Sequence, residues 1–186
     1  MTAVLVIVVV VLVVLVIATI ATYNGLVRTR NRIDNARSQI EVQLKRRHDL
    51  IPNLVETVKG YAAHERGTLE AVTAARTHAI DAASGSLADQ AQAENALTGA
   101  LKSLFAVAEA YPDLKANANF LSLQEELTST EDRIAYARQF FNDSVLSYNT
   151  RIQTFPANLL AGMFGFTARE YFDGDPGDAA PVDVRF

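Results

Sequence analysis

"QLKRRHDLIPNLVETV", Gln43–Val58, packs three consecutive cations, a histidine, an aspartate and a proline into a run with helical spacing. Leu44, Ile51, Leu54 and Val58 keep one register straight through Pro52. A break followed by a new helix would reset that register. The stretch therefore predicts one helix with a kink at Pro52, whose ring deprives the His48 carbonyl of its usual partner at a cost of about 3 kcal/mol or more.

Extending the register in both directions gives a seam. Ile33, Ile40, Arg47, Leu54 and Tyr61 fall in steps of seven, with Arg37, Leu44, Ile51 and Val58 between them. Alternating threes and fours of this kind mark a coiled-coil-like bundle seam. The two arginines are expected to pack their stems and release their heads to water. A second run, Phe120, Leu127, Ile134, Phe141, Tyr148 and Phe155, repeats the step of seven, with Leu123, Ala137 and Ile152 on the same face. Each run covers about 38 residues, or ~57 Å as helix. Two shorter helical segments lie between them. Residues 64–84 carry Leu69, Val72, Arg76 and Ile80 on one face, and residues 87–111 carry Leu87, Leu97, Leu101, Leu104, Phe105 and Ala108. "SGS" at Ser84–Ser86 and "YPD" at Tyr111–Asp113 mark the boundaries. The expected fold is all-α: an antiparallel up-and-down four-helix bundle with two long outer helices, following an N-terminal transmembrane helix.

That helix is "AVLVIVVVVLVVLVIATIA", Ala3–Ala21, uncharged and long enough to span a hydrocarbon core about 30 Å thick. A cleaved signal peptide carries its cations before a shorter apolar stretch, whereas here Arg28, Arg30 and Arg32 follow it. Residues 1–23 are read as a retained anchor, 24–166 as the bundle and 167–186 as a mobile acidic tail. Positive charge after the span predicts a single-pass protein of the cell's inner (cytoplasmic) membrane, with the N-terminus outside and the bundle in the cytoplasm. Up-and-down topology returns the end of the last long helix to the membrane, where "FPANLLAGMFGF", Phe155–Phe166, is too short to span. Tyr23, Arg28, Arg30, Arg32, Leu159, Leu160, Phe164 and Phe166 are the candidate membrane-interface residues. The bland reading folds Phe155–Phe166 over the end of the bundle; the sharper one makes it an interfacial or protomer–protomer contact.

The order of motifs resembles the LemA family. An apolar span precedes "YNGLV" (Tyr23–Val27), "QLKRRHDLIPNLVETVKGYAAHE" (Gln43–Glu65) and "LEAVTAAR" (Leu69–Arg76). "AYPDLKANANFLSLQEEL" (Ala110–Leu127) and "YNTRIQTFPANLLAGMFGF" (Tyr148–Phe166) follow. The likeness runs to about Phe172, leaving the acidic tail outside. It implies a single-span bacterial membrane protein with a cytoplasmic helical bundle, no established enzymatic activity, and a hint of an adaptor role, since members often occur near membrane metalloproteases and in membrane organisation. The family often has Trp where this chain has Arg37.

Little here points to chemistry. With no cysteine, disulfides, thiolate metal sites and cysteine nucleophiles are excluded. His64-Glu65 lacks the second histidine of a zinc motif, because position 68 is threonine. His48, His64 and His78 are far apart in sequence, and no serine has a triad-like setting. Glu125 and Glu126 point to different sides of a helix, and no E-x-x-H pair suggests a di-iron bundle. No catalytic, metal or cofactor site is expected. A net charge of −4 and the lack of aromatics among the cations argue against nucleic acid. Lys45, Arg46, Arg47 and His48 are read either as a solvated face or as partner-contact candidates. The expected partners are the bilayer, other copies of the chain and a possible membrane protein. The expected role is a scaffold or adaptor. The alternative is a membrane-remodelling protein using the juxtamembrane arginines and the 155–166 segment on lipid.

Overall fold

A computed structural model describes residues 1–172. Six helices follow in order: α1 Thr2–Lys59, α2 Arg66–Ala82, α3 Leu87–Ala108, α4 Pro112–Lys115, α5 Ala118–Gln153 and α6 Ala157–Phe164. No strand occurs among the described residues. α4 is a single turn that starts on Pro112, where a missing N–H costs nothing.

α1 is continuous for 58 residues and contains Pro52, so anchor and seam belong to one helix of ~87 Å. Among the described residues it is the one helix long and apolar enough to cross a membrane. Its apolar part is exposed along its length. The Thr19 and Thr22 hydroxyls donate to the Leu15 and Ala18 carbonyls at 2.8 Å, so neither needs water.

The seam differs from expectation at three places. Ile33, Ala36, Ile40, Leu44, Arg47, Ile51, Leu54 and Val58 are buried, whereas Arg37 is exposed. Ala36 takes the seat assigned to Arg37, because a straight helix of 3.6 residues per turn drifts against a strict seven. Tyr61 lies beyond the helix end and is half-exposed, while Ala62 is buried in its stead. The Arg47 head does not escape to water; the residue is 1% exposed. On α5, Phe120, Leu127, Ile134, Phe141 and Tyr148 are buried, but Phe155, past the helix end, is 80% exposed. On α2, Ala79 is buried where Ile80 was expected.

The chain forms two compact units, each drawing on both long helices. One comprises Ser38–Gln139 and the chain from Glu170. Its core joins Ile51, Leu54 and Val58 of α1, Leu69 and Val72 of α2, Leu97, Leu101 and Leu104 of α3, and Phe120 and Leu127 of α5. Caps fix the helix starts. Ser86 and Asp89 form a reciprocal capping box on α3, and Asn117 Oδ1 accepts from the Phe120 N–H at 3.0 Å to start α5.

The other unit is Met1–Arg37 with Phe140–Arg169. Within it the Arg32 guanidinium lies 4.8 Å from the Phe140 ring centroid, and Gly25 backs onto the Arg151 guanidinium. These pairings make α1 and α5 antiparallel here. The Phe155–Pro156 peptide is cis, and α6 follows. α6 ends on Gly165 at φ 70°, a left-handed cap in which the Phe166 N–H donates to the Ala161 carbonyl at 3.0 Å.

The start of the expected tail is held in place. The Tyr148 hydroxyl donates to the Thr167 carbonyl at 3.0 Å. Asn149 and Arg169 exchange two hydrogen bonds, at 2.8 and 2.9 Å. Phe172 is buried, with the Arg138 guanidinium 4.9 Å from its ring centroid. The expectation of a mobile tail over 167–186 falls mostly on residues 173–186, which lie outside the described residues.

Candidate functional site

The opening stretch becomes a buried ionic cluster inside the Ser38–Gln139 unit. Arg47, on the α1 seam, ion-pairs with Glu94 of α3 and Glu131 of α5. Its Nη1 also donates to the Thr98 hydroxyl at 3.0 Å. Thr98 lies one turn beyond Glu94, and its oxygen is 3.1 Å from both the Glu94 carbonyl and Glu131 Oε1. His48 Nε2 sits 3.0 Å from Glu94 Oε1, close enough for an ion pair although no aligned N–H···O bond joins them. Glu94 is fully buried. Burial pushes its carboxyl up, but the His48 side chain and the Arg47 charge outweigh this and hold it below the ordinary 4.5. A carboxylate held ionised in the interior must have its cation in place.

The fourth long segment of this unit enters through the backbone. Arg76 of α2 donates from Nε to the His48 carbonyl at 2.7 Å. That carbonyl is the one Pro52 leaves without an i+4 donor. The proline and the arginine thus form one device: a gap in the α1 ladder is filled by a side chain from a neighbouring helix.

The predicted contact residues separate by depth. Lys45 and Arg46 are exposed, and Arg46 reaches Glu126 at 3.4 Å. Arg47 and His48 are buried, because their seats fall on the inner face of α1. His64 and His78 are exposed. Among the described residues no group of three or more His, Asp or Glu is placed to hold a metal.

The cluster had a legible signal. Leu87, Glu94, Leu101 and Ala108 fall in steps of seven on α3, so Glu94 occupies a core seat. A lone acid on that seam and a lone base on the α1 seam are natural partners. Arg76 was on the predicted buried face of α2, but its carbonyl acceptor could not be read from spacing.

The same unit has an open groove of about 1150 Å³ along α1 and α5. Val42, Leu121 and Tyr136 line it and are 62%, 47% and 72% exposed, with Gln39, Glu125 and Asp132 beside them. In the other unit, four of the eight membrane-interface candidates meet at one place. Tyr23 meets Phe164 and Phe166 edge-on, at centroid distances of 5.0 and 5.7 Å, and the Arg30 guanidinium lies 5.6 Å from the Phe166 centroid. Leu159 is exposed on α6, the helix that carries Phe164. Leu160 is half-buried on α6, Arg28 is exposed, and Arg32 is committed to Phe140.

A family model described as the LemA family matches residues 36–186. That match includes the acidic tail, which the motif order had left outside, and begins after the apolar run. The magnetosome proteins MamQ 1 and MamQ 2 of Paramagnetospirillum magneticum are each 29% identical over 184 residues, covering 86% of this chain and 68% of their own. Protein LemA of Metamycoplasma hominis is 33% identical over 140 residues, covering 74% of this chain and 63% of its own.

Proposed function

The chain belongs to the LemA family, and from that premise we propose that it is a membrane-anchored scaffold that acts by self-association, with no bond chemistry. One observation carries this reading: the apolar run and the α1 residues lining the open groove belong to a single uninterrupted helix. A groove with exposed Val42, Leu121 and Tyr136 is a surface for another helix to fill. Identical anchors confined to one membrane raise the effective concentration of copies, which makes a second copy the first candidate occupant. The relatives described as magnetosome proteins support a role in assembling a cellular structure.

The finer architecture belongs to this proposal. The four long helical segments form an antiparallel up-and-down bundle, single-pass in the inner membrane, with the N-terminus outside and the bundle in the cytoplasm. Arg28, Arg30 and Arg32 after the span support that direction.

The test is photocrosslinking in cells from Val42 and from Tyr136 of the full chain, with Lys45 and Arg46 as a second pair of sites. Crosslinks between copies from the first pair support the scaffold. A chain that stays strictly monomeric in detergent and crosslinks to nothing in cells ends it.

A further inference from the structure

Phe155–Phe166 contains no charged residue. A short helix packed on a protein in water turns its apolar side inward and its polar side outward. α6 departs from this by size. It turns the small residues Ala157 and Ala161 inward and leaves Leu159 60%, Met163 77% and Phe164 52% exposed. Leu159 and Met163 are one turn apart on the same side. Phe155, 80% exposed, immediately precedes the helix.

What covers this face follows from its attachment. Tyr23 stands two residues past the end of the apolar run, at the depth where a span leaves hydrocarbon for headgroups. The left-handed turn at Gly165 brings Phe166 back so that it and Phe164 both pack on that ring. α6 is therefore tied to the boundary of the span. Cations suited to phosphate headgroups lie on the same stretch: Arg28 is exposed, and Arg30 is exposed with its guanidinium by Phe166.

We propose that α6 lies in the plane of the bilayer interface, with Leu159 and Met163 set into the headgroup–acyl boundary of an anionic lipid surface. Phe155 enters beside them, and the Tyr23–Phe164–Phe166 cluster clamps α6 to the span. The chain then touches the membrane twice, once through it and once along it, and the second contact fixes the depth and rotation of the first. This rests on the reading of α1 as a membrane-crossing anchor.

The chain has no tryptophan, which makes the test direct. Full-length Val10→Trp, Met163→Trp and Leu146→Trp are reconstituted separately into phosphatidylcholine–phosphatidylglycerol vesicles whose acyl chains carry bromine at shallow or deep positions. Leu146 is the control. It is 56% exposed and lies seven residues, or ~10 Å, back along α5 from Gln153. Val10→Trp should be quenched most by deep bromine and Met163→Trp most by shallow bromine, with Leu146→Trp nearly unaffected. If Met163→Trp is quenched no more than Leu146→Trp while Val10→Trp responds, the interfacial helix is overturned and the anchor stands. Met163→Trp emission that tracks the protein-to-lipid ratio instead of bromine means that another copy covers α6, and also overturns it. If Val10→Trp is not quenched, the anchor reading falls and this proposal falls with it.

Discussion

The two parts of α1 use opposite logic. From Val4 to Ile20 every large apolar side chain is at least 51% exposed. Within Ser38–Lys59 a guanidinium is 1% exposed. Residue type alone would have reversed both. The first part is long and apolar enough to cross a membrane, and in the proposed reading a bilayer is its solvent. The second buries a cation because position 47 falls on the seam, and α3 and α5 present acids there. Burial in this helix follows position in the repeat, and each buried polar group then needs a partner. A buried ion pair gives little net stability over a well-packed apolar pair. Our hypothesis is that its use here is to fix register, since Arg47 meets Glu94 and Glu131 in one alignment of the helices.

The largest expected effect tests that contrast. Arg47→Ala leaves the fully buried Glu94 without its main cation and should destabilise the protein by about 3–5 kcal/mol. On a chain of this size that lowers the melting temperature by on the order of 10 °C, measured in detergent. The double substitution Arg47→Met with Glu94→Met should recover most of the loss while weakening register, seen as new cysteine-crosslinking partners between α1 and α3. A double variant as unstable as Arg47→Ala would mean the pair stabilises the fold directly.

The pH dependence follows from the same carboxyl. Glu94 titrates lower in the folded chain than its ordinary 4.5. Its contribution is therefore fully present above that value and is lost as pH falls through the lower folded value. Glu94→Gln should flatten the acid limb of the stability profile. An unchanged acid limb in that variant would place the acid sensitivity elsewhere.

The sequence made some of this contrast visible and hid the rest for physical reasons. The apolar run follows from its length and lack of charge, and the two long helices and most core seats follow from periodicity, because a period of three and four is imposed wherever a helix buries one side. Drift between 3.6 and 3.5 residues per turn moved the seat from Arg37 to Ala36, and on α2 Ala79 is buried in place of Ile80. Helix ends were also misjudged, so Tyr61 and Phe155 were counted in seams that stop before them. The Arg47–Glu94 pair was half legible: both residues sit on heptad positions, but a long cation on a seam more often reaches water than an acid. Arg76 on the His48 carbonyl was not legible, since spacing reports faces of helices and not which carbonyl a side chain meets.

That hidden bond gives a smaller effect with a clear internal control. Arg76→Met leaves the His48 carbonyl without a donor and should cost about 1–3 kcal/mol. Pro52→Ala restores an N–H at the i+4 position for the same carbonyl and should straighten any kink the ring imposes. In the Pro52→Ala background Arg76→Met should then cost clearly less, so the two changes are coupled. Equal costs in both backgrounds would show that Arg76 stabilises the unit through packing and that the proline is unrelated to it.

The smallest effect belongs to the unit of Met1–Arg37 with Phe140–Arg169, where two glycines five ångströms of helix rise or less apart should respond with opposite signs. A Cβ at either Gly162 or Gly165 meets nothing within 4 Å, so sterics with neighbours do not enter. Gly162 lies inside α6, where alanine saves about 0.5–1 kcal/mol of backbone entropy. Gly165 sits at φ 70°, where an L side chain costs about 1–2 kcal/mol. Hydrogen exchange across Leu160–Phe166 reads both locally. Amides there should be protected more by Gly162→Ala and less, by roughly fivefold or more, by Gly165→Ala. Because that turn carries Phe166 back to Tyr23, losing it should also loosen the aromatic clamp. If Gly165→Ala leaves the exchange unchanged, the left-handed cap does not hold α6 against Tyr23, and α6 owes its order to the buried Ala157 and Ala161 instead.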